Sequence, residues 1–205
     1  MYSPGYNRPE DRAELTAFMR ANNFPVLVTG TGGALHASHL PVTVHEEGER
    51  IAIDMHMAKN NPQWQEFIDD EVLVIFTGPH AYVSPRWYEE KERVPTWNYA
   101  ALHAYGIPRL ILDRTDKFNS QRRLIDGLDP RWLPEFDALR EEYVTRMLEG
   151  IVNFSIPVSR LEARWKLSQN RGRREMERIA AELDKSADTA ERALAALTRK
   201  HLVAE

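Results

Sequence analysis

The chain has no cysteine among its 205 residues. That excludes disulfides, thiolate metal centres and a cysteine nucleophile, and it suits a reducing compartment, so a cytoplasmic protein is expected. No window approaches the roughly 20 consecutive apolar residues that a membrane-spanning helix requires. The opening MYSPGYNRPEDRAEL is polar where a secretory signal would carry an apolar run, so export by that route is not expected. An excess of positive charge is also missing. Lys and Arg total 27 against 31 Asp and Glu, a net charge of -4 with pI near 6.0, which offers no global attraction to nucleic acid or anionic lipid.

Several catalytic signatures are absent too. There is no H-E-x-x-H pair and no G-x-S-x-G elbow. Six of the seven histidines lie between His36 and His103, but without ligand spacing, and no metal site is expected. The GTGG run at Gly30–Gly33 precedes a strand rather than a helix, so it lacks the helix N-terminus that a dinucleotide pyrophosphate uses and reads as a turn.

What is present reads as mainly β structure with flanking helices. A first helix opens at Pro9 and Glu10 and ends near the ANN before Pro25. FPVLVTGTGGALHASHLPVTV predicts a hairpin of two strands, and RIAIDMH a third, together an antiparallel meander. A short helix is expected over Pro62–Ile68, and the dense apolar run EVLVIFTG predicts a central strand. PHAYVSPRWY reads as extended, and VPTWNYAALHAYG and PRLILD as strands. A helix capped by Thr115 should stop near Gly127, and PEFDALREEYVTRMLEG forms a second. IVNFSIPVSRLEARWKL returns to strand and closes the sheet. The tail is charged and helical. Its RGRR start is followed at once by acidic residues, which favours a solvated helix start over a nucleic-acid patch.

Polar and aromatic residues collect at strand ends in ASHLP, HMAKNNPQW, GPHAYVSPRWY and VPTWNY. Rings and prolines make flat apolar walls, while Ser, His, Asn and Lys add hydrogen bonds and one positive charge, a combination suited to a planar ring that carries a phosphate. In HMAKNNPQW a strand end feeds a helix start beside a lysine, a place where anions collect. On composition alone Trp64, Trp87 and Trp97 serve a core equally well.

These motifs, with MYSPGYN at the start and WKLSQN near residue 170, closely resemble the PaiB family, FMN-binding negative transcriptional regulators. The resemblance implies a split β-barrel of the pyridoxine-phosphate-oxidase kind, a homodimer with FMN at the subunit interface and an FMN-dependent oxidoreductase chemistry of unidentified substrate. It places the phosphate on His56, Lys59 and Asn60, with Arg86 and Arg93 as remote cations. It places the ring against Ser38, His39, Leu40 and Pro41, with Tyr82, Val83 and Ser84 on another side and Trp97 and Asn98 reaching over from the partner. The expected division is an FMN-binding domain over residues 1–170 and a helical appendage over 171–205 packed on it. Heme is the alternative cofactor, with His36, His39, His56, His80 or His103 as axial ligand. The third alternative, direct DNA binding, has no convincing helix-turn-helix behind it.

Overall fold

Gly32 and Gly33 both take positive φ, 62° and 89°, and turn the chain between strands β1 (Val26–Thr31) and β2 (Ala34–His39). Glycine reaches those angles without a Cβ clash, which is why this pair makes the hairpin. The register runs from Val26 opposite His39 to Thr31 opposite Ala34. The computed structural model describes the chain except Glu49, Ile68, Asp69, Lys91 and Glu205, and except the side chains of Thr31 and Glu47.

The meander ends after this hairpin. Strand β3 (Val42–Glu47) pairs with β4 (Arg50–Ala58), not with β2. Leu40 N–H donates to Pro25 O and Val42 N–H to Asn23 O, while Pro41 between them has no N–H to give. The chain is thus tied back to the approach to β1 and leaves β2. With β5 (Val72–Val83), β6 (Thr96–Gly106), β7 (Arg109–Ile111) and β8 (Ile151–Lys166), the strand order is β2-β1-β5-β6-β8-β4-β3, and β7 also pairs with β8. β2 and β3 therefore stand at opposite ends of this order. β5 is interior, as its apolar run predicts.

Among the described residues six α-helices accompany the strands: α1 (Arg12–Ala21), α2 (Arg114–Leu128), α3 (Leu133–Asp137), α4 (Glu141–Glu149), α5 (Arg173–Leu183) and α6 (Thr189–Lys200). Three differ from the sequence reading. Asp113, not Thr115, caps α2: its carboxylate accepts from Thr115 N at 2.8 Å and Asp116 N at 3.0 Å, and the helix runs through Gly127. The single helix expected over residues 134–150 is two, because Arg140 is extended and starts α4 afresh. The Asp137 carboxylate at the end of α3 is held by the Arg122 guanidinium of α2 at 2.9 Å. The helix expected from Pro62 is a 3-10 turn over Pro62–Glu66, and the Ile68 end of that expectation lies outside the described residues.

The chain divides into two compact units. One comprises Met1–Leu15, Thr77–Leu102 and Glu162–Glu205, the other Thr16–Phe76 and His103–Leu161. In the second unit β4 and β8 pair from Ala52 opposite Pro157 to Ala58 opposite Ile151. Alternation sends Met55 with Phe154 and Ile53 with Ile156 into an apolar core, and Asp54, His56, Asn153 and Ser155 to the other face. That other face meets the helical insert: Arg123 of α2 donates to buried Asp54 at 2.6 Å. In the first unit, Met176, Ile179, Ala180 and Leu183 of α5 share one face by helical spacing and are buried with Trp165 and Leu167. The basic start of the tail is occupied by ion pairs, Arg173 with Glu177 and both Arg174 and Arg178 with Glu89.

Candidate functional site

The HMAKNNPQW stretch folds as a stitched turn. Strand β4 carries it to Ala58, Lys59 N–H donates to Gly150 O at 2.9 Å, and Trp64 Nε1 donates back to Lys59 O at 3.0 Å. Asn61 then works in two directions. Its Oδ1 accepts from Gln63 N at 3.0 Å and caps the 3-10 turn, while its Nδ2 donates to Ser38 Oγ at 3.0 Å and ties the turn to β2. Lys59 and Asn60 stand exposed on the outside of this bend. Sequence reading singled out Asn60 and passed over Asn61, since the two amides differ only in the direction the backbone gives them.

Around Ser38 the same unit builds a polar cluster. Buried Gln63 donates through Nε2 to Leu27 O at 3.3 Å, Thr29 Oγ1 at 3.2 Å and His36 O at 3.2 Å. Glu66 accepts from Thr29 Oγ1 at 2.5 Å, and its other oxygen lies 2.5 Å from His36 Nδ1. His36 and Ser38, two residues apart, share one side of β2. His39 lies on the other, its ring stacked on Phe24 at 5.8 Å. Leu40 is buried and Pro41 half-buried. His56, on the helical side of β4, lines a cavity with Gln121, Trp132 and Tyr143 rather than the Lys59 bend. Burial lowers its imidazole pKa, so the ring is neutral at neutral pH.

The remaining candidates lie in the other unit. Trp97 is 49% exposed and meets Tyr82 edge-on at 6.3 Å and His80 at 5.8 Å, an open aromatic cluster. Alternation turns their neighbours inward: Val83 and Asn98 are both fully buried. Asn98 Nδ2 donates to Ser168 Oγ at 3.0 Å, and Ser168 Oγ donates back to Asn98 Oδ1 at 3.1 Å. Ser168 holds a positive φ of 66°, which an ordinary side chain seldom adopts, and the paired amide fixes it there. Ser84 caps a short turn over Pro85–Trp87 by accepting from Arg86 N.

This unit also contains a group the sequence reading missed. Arg164 and Lys166 alternate along the end of β8, and Lys166 Nζ donates to Thr96 Oγ1 at 2.5 Å. Burial lowers the Lys166 pKa first, with Arg164 and Arg171 adding repulsion. Arg171 sits over the Tyr88 ring at 4.2 Å and Arg164 over Tyr99 at 5.6 Å. Among the described residues none of the three cations has a carboxylate partner. The signal in the sequence is the Arg-x-Lys alternation of Arg164 and Lys166, which runs into WKLSQN.

Comparison with known proteins shows the family and the fold. Residues 1–160 fit the family described as "Putative FMN-binding domain". The Bacillus subtilis protein named "Protease synthase and sporulation protein PAI 2" is 36% identical over 184 residues, 83% of each chain. Among solved structures, a flavocytochrome from Azotobacter vinelandii superposes with TM-score 0.62 at 17% identity, over 78% of this chain and 69% of that one. An FAD- and heme-binding protein from Mycobacterium smegmatis gives 0.61 at 14%, over 78% and 73%. At such identities the structural likeness concerns the fold. Among the described residues no helix is long and apolar enough to cross a membrane.

Proposed function

Because the chain belongs to the PaiB family of FMN-binding split-barrel proteins, we propose that it binds FMN as a homodimer and acts as a flavin-dependent oxidoreductase. The observation that carries the reading is uncompensated positive charge in a chain of net charge -4: exposed Lys59, and the Arg164, Lys166 and Arg171 group. Charge-assisted hydrogen bonds to a phosphate dianion are about twice as strong as neutral ones.

In one unit the bend at Lys59 and Asn60 is the phosphate seat, with Ser38, held by Asn61, and the backbone of His39–Pro41 as the polar edge beside it. In the other, Tyr82 and Trp97 give a stacking surface, Ser84 a hydroxyl, and the three cations a seat for an anionic group. Buried Val83 and Asn98 act there by holding the backbone, not by offering side chains. Bound flavin supplies the redox-active ring, so the protein's task is position and electrostatics and no conspicuous acid or base is required. Any effect on transcription is indirect in this reading, since Arg173, Arg174 and Arg178 are engaged in ion pairs, the first with Glu177 and the other two sharing Glu89.

The visible spectrum of the freshly purified protein tests this. Flavin bands, or their appearance on adding FMN with quenching of flavin fluorescence, are expected, and replacing Lys59 or Lys166 with Met should weaken FMN about tenfold or more. A Soret band instead, lost on changing one of His36, His39, His56, His80 or His103, would assign heme. A colourless protein indifferent to FMN would remove the proposal.

A further inference from the structure

The polar cluster around Ser38 holds a pair of side chains that flavin binding does not use. His36 Nδ1 stands 2.5 Å from one oxygen of Glu66, and Thr29 Oγ1 donates to the other at 2.5 Å. An imidazole nitrogen and a carboxylate oxygen come that close only with a proton between them. Nδ1 therefore carries the hydrogen, and a neutral ring keeps its lone pair on Nε2. Among the described residues Nε2 has no hydrogen-bond or ion-pair partner, and the side chain is 55% exposed. The frame beneath the pair is fixed. Buried Gln63 donates both to Thr29 Oγ1 and to His36 O, so one amide braces the support of the carboxylate and the backbone that carries the imidazole.

A histidine held at Nδ1 by a braced carboxylate and open at Nε2 is the arrangement of an acid–base group. The carboxylate fixes the tautomer and stabilises the imidazolium that forms when Nε2 takes a proton. Ser38, the polar edge of the proposed phosphate seat, sets its place: His36 lies on the same side of β2, two residues and about 7 Å along the strand. Resting on the flavin-dependent reading above, we propose that His36 is the catalytic proton donor of this site, Glu66 its positioning residue, and the electron acceptor a conjugated carbonyl compound. Flavin chemistry alone needs no such group, and an acceptor of single electrons has no use for one, whereas a conjugated carbonyl takes up a proton with its electrons. Hydride from reduced FMN adds to an alkene carbon of the acceptor, His36 Nε2–H gives its proton to the carbonyl oxygen, and the enol reverts to the saturated carbonyl in water. The flavin ends oxidised, the acceptor gains two electrons and two hydrogens, and the exposed imidazole recovers its proton from solvent.

N-ethylmaleimide serves as the acceptor, since the chain has no cysteine for it to alkylate, and ferricyanide, which takes one electron and no proton, as the reference. The FMN-loaded full chain is photoreduced and mixed rapidly with each while flavin reoxidation is followed. His36→Gln should lower the ratio of the maleimide rate to the ferricyanide rate about a hundredfold, the usual scale of a lost general acid. Glu66→Ala should lower the same ratio. Nitrogen-15 spectra of the flavin-free chain should show the proton of neutral His36 on Nδ1 in the wild type and no longer confined there in Glu66→Ala. His36→Gln, at an exposed position, keeps the test decisive if Glu66→Ala does not fold. The proposal fails if the flavin-loaded wild type does not reduce the maleimide, if His36→Gln leaves the ratio where it was, or if Nδ1 of the wild type is bare. A colourless chain that takes up no FMN overturns the flavin reading and this proposal with it, whereas flavin bands with an unchanged ratio overturn this proposal alone.

Discussion

Asn61 donates its side-chain amide to Ser38 Oγ at 3.0 Å while its carbonyl oxygen caps the turn at Gln63. One side chain thus fixes both the shape of the bend that presents Lys59 and its position against β2. Replacing Asn61 with Ala should cost about 1–2 kcal/mol, the sum expected for a lost cap and a lost tether. Asn61→Asp keeps the cap acceptor and should recover part of this. Urea denaturation of the three proteins measures it, and equal midpoints for Ala and wild type would refute the dual role.

Arg123 donates to Asp54, a carboxylate only 3% exposed in the face of β4 beneath α2, with His45 Nδ1 3.9 Å away. Breaking a buried pair typically costs about 3–5 kcal/mol, less when one partner is half in solvent as Arg123 is. Arg123→Met should therefore destabilise by roughly 2 kcal/mol. Adding Asp54→Leu should restore most of the loss, since the orphaned charge goes with it. Thermal melts in which the double variant stays as weak as the single one would contradict this account.

Glu14 of α1 meets Lys200 at 2.6 Å and His201 at 2.7 Å at the end of α6. Burial pushes its carboxyl pKa up, but the hydrogen bonds and charges of Lys200 and His201 pull it down further, and the net shift is downward. A depressed carboxylate binds fewer protons in the folded than in the unfolded chain. Its stabilisation is therefore complete above the unfolded value of about 4.3 and fades as pH falls through the folded one. Glu14→Gln should flatten the stability profile in that acid range and change its slope little above it. Denaturation midpoints between about pH 3 and pH 7 provide the check.

Gly106 ends β6 against β8, and a Cβ there would stand inside the contact distance of Pro157 O and 2.7 Å from an Ile156 methyl. Pro157 O is backbone and cannot swing aside. Gly106→Ala should thus cost about 1–3 kcal/mol, the range of overpacking. Gly127→Ala, where no atom lies within 4 Å of the new carbon, should be neutral or slightly stabilising. Parallel melts of the two variants decide the matter.

Strand positions were legible because alternation of apolar and polar residues survives in β4, a dense apolar run marks β5, and the Gly32–Gly33 pair announces its turn. Pairing was not. Nothing local distinguishes a β2 that continues into β3 from one that parts from it, and the parting is made by Leu40 and Val42 bonding to residues ahead of β1. Asp113 and Thr115 are both good caps two positions apart, so only the backbone could choose. Consecutive site residues were read as a set, whereas a strand shows them alternately: Trp97 outward and Asn98 inward, Tyr82 outward and Val83 inward. The motif around Lys59 was recognisable, but Arg164 and Lys166 gather with Arg171 only through the packing of distant segments.

Strand β8 crosses from one compact unit into the other, and each unit is assembled from separated stretches of chain. No single cut can release either as a continuous fragment, so neither can be fused, shuffled or inherited alone. A gene trimmed at residue 160, where the family match stops, would end midway through β8. It would also discard Ser168, the partner of Asn98, and leave that buried amide bare. The heritable module here is longer than the region the family model covers.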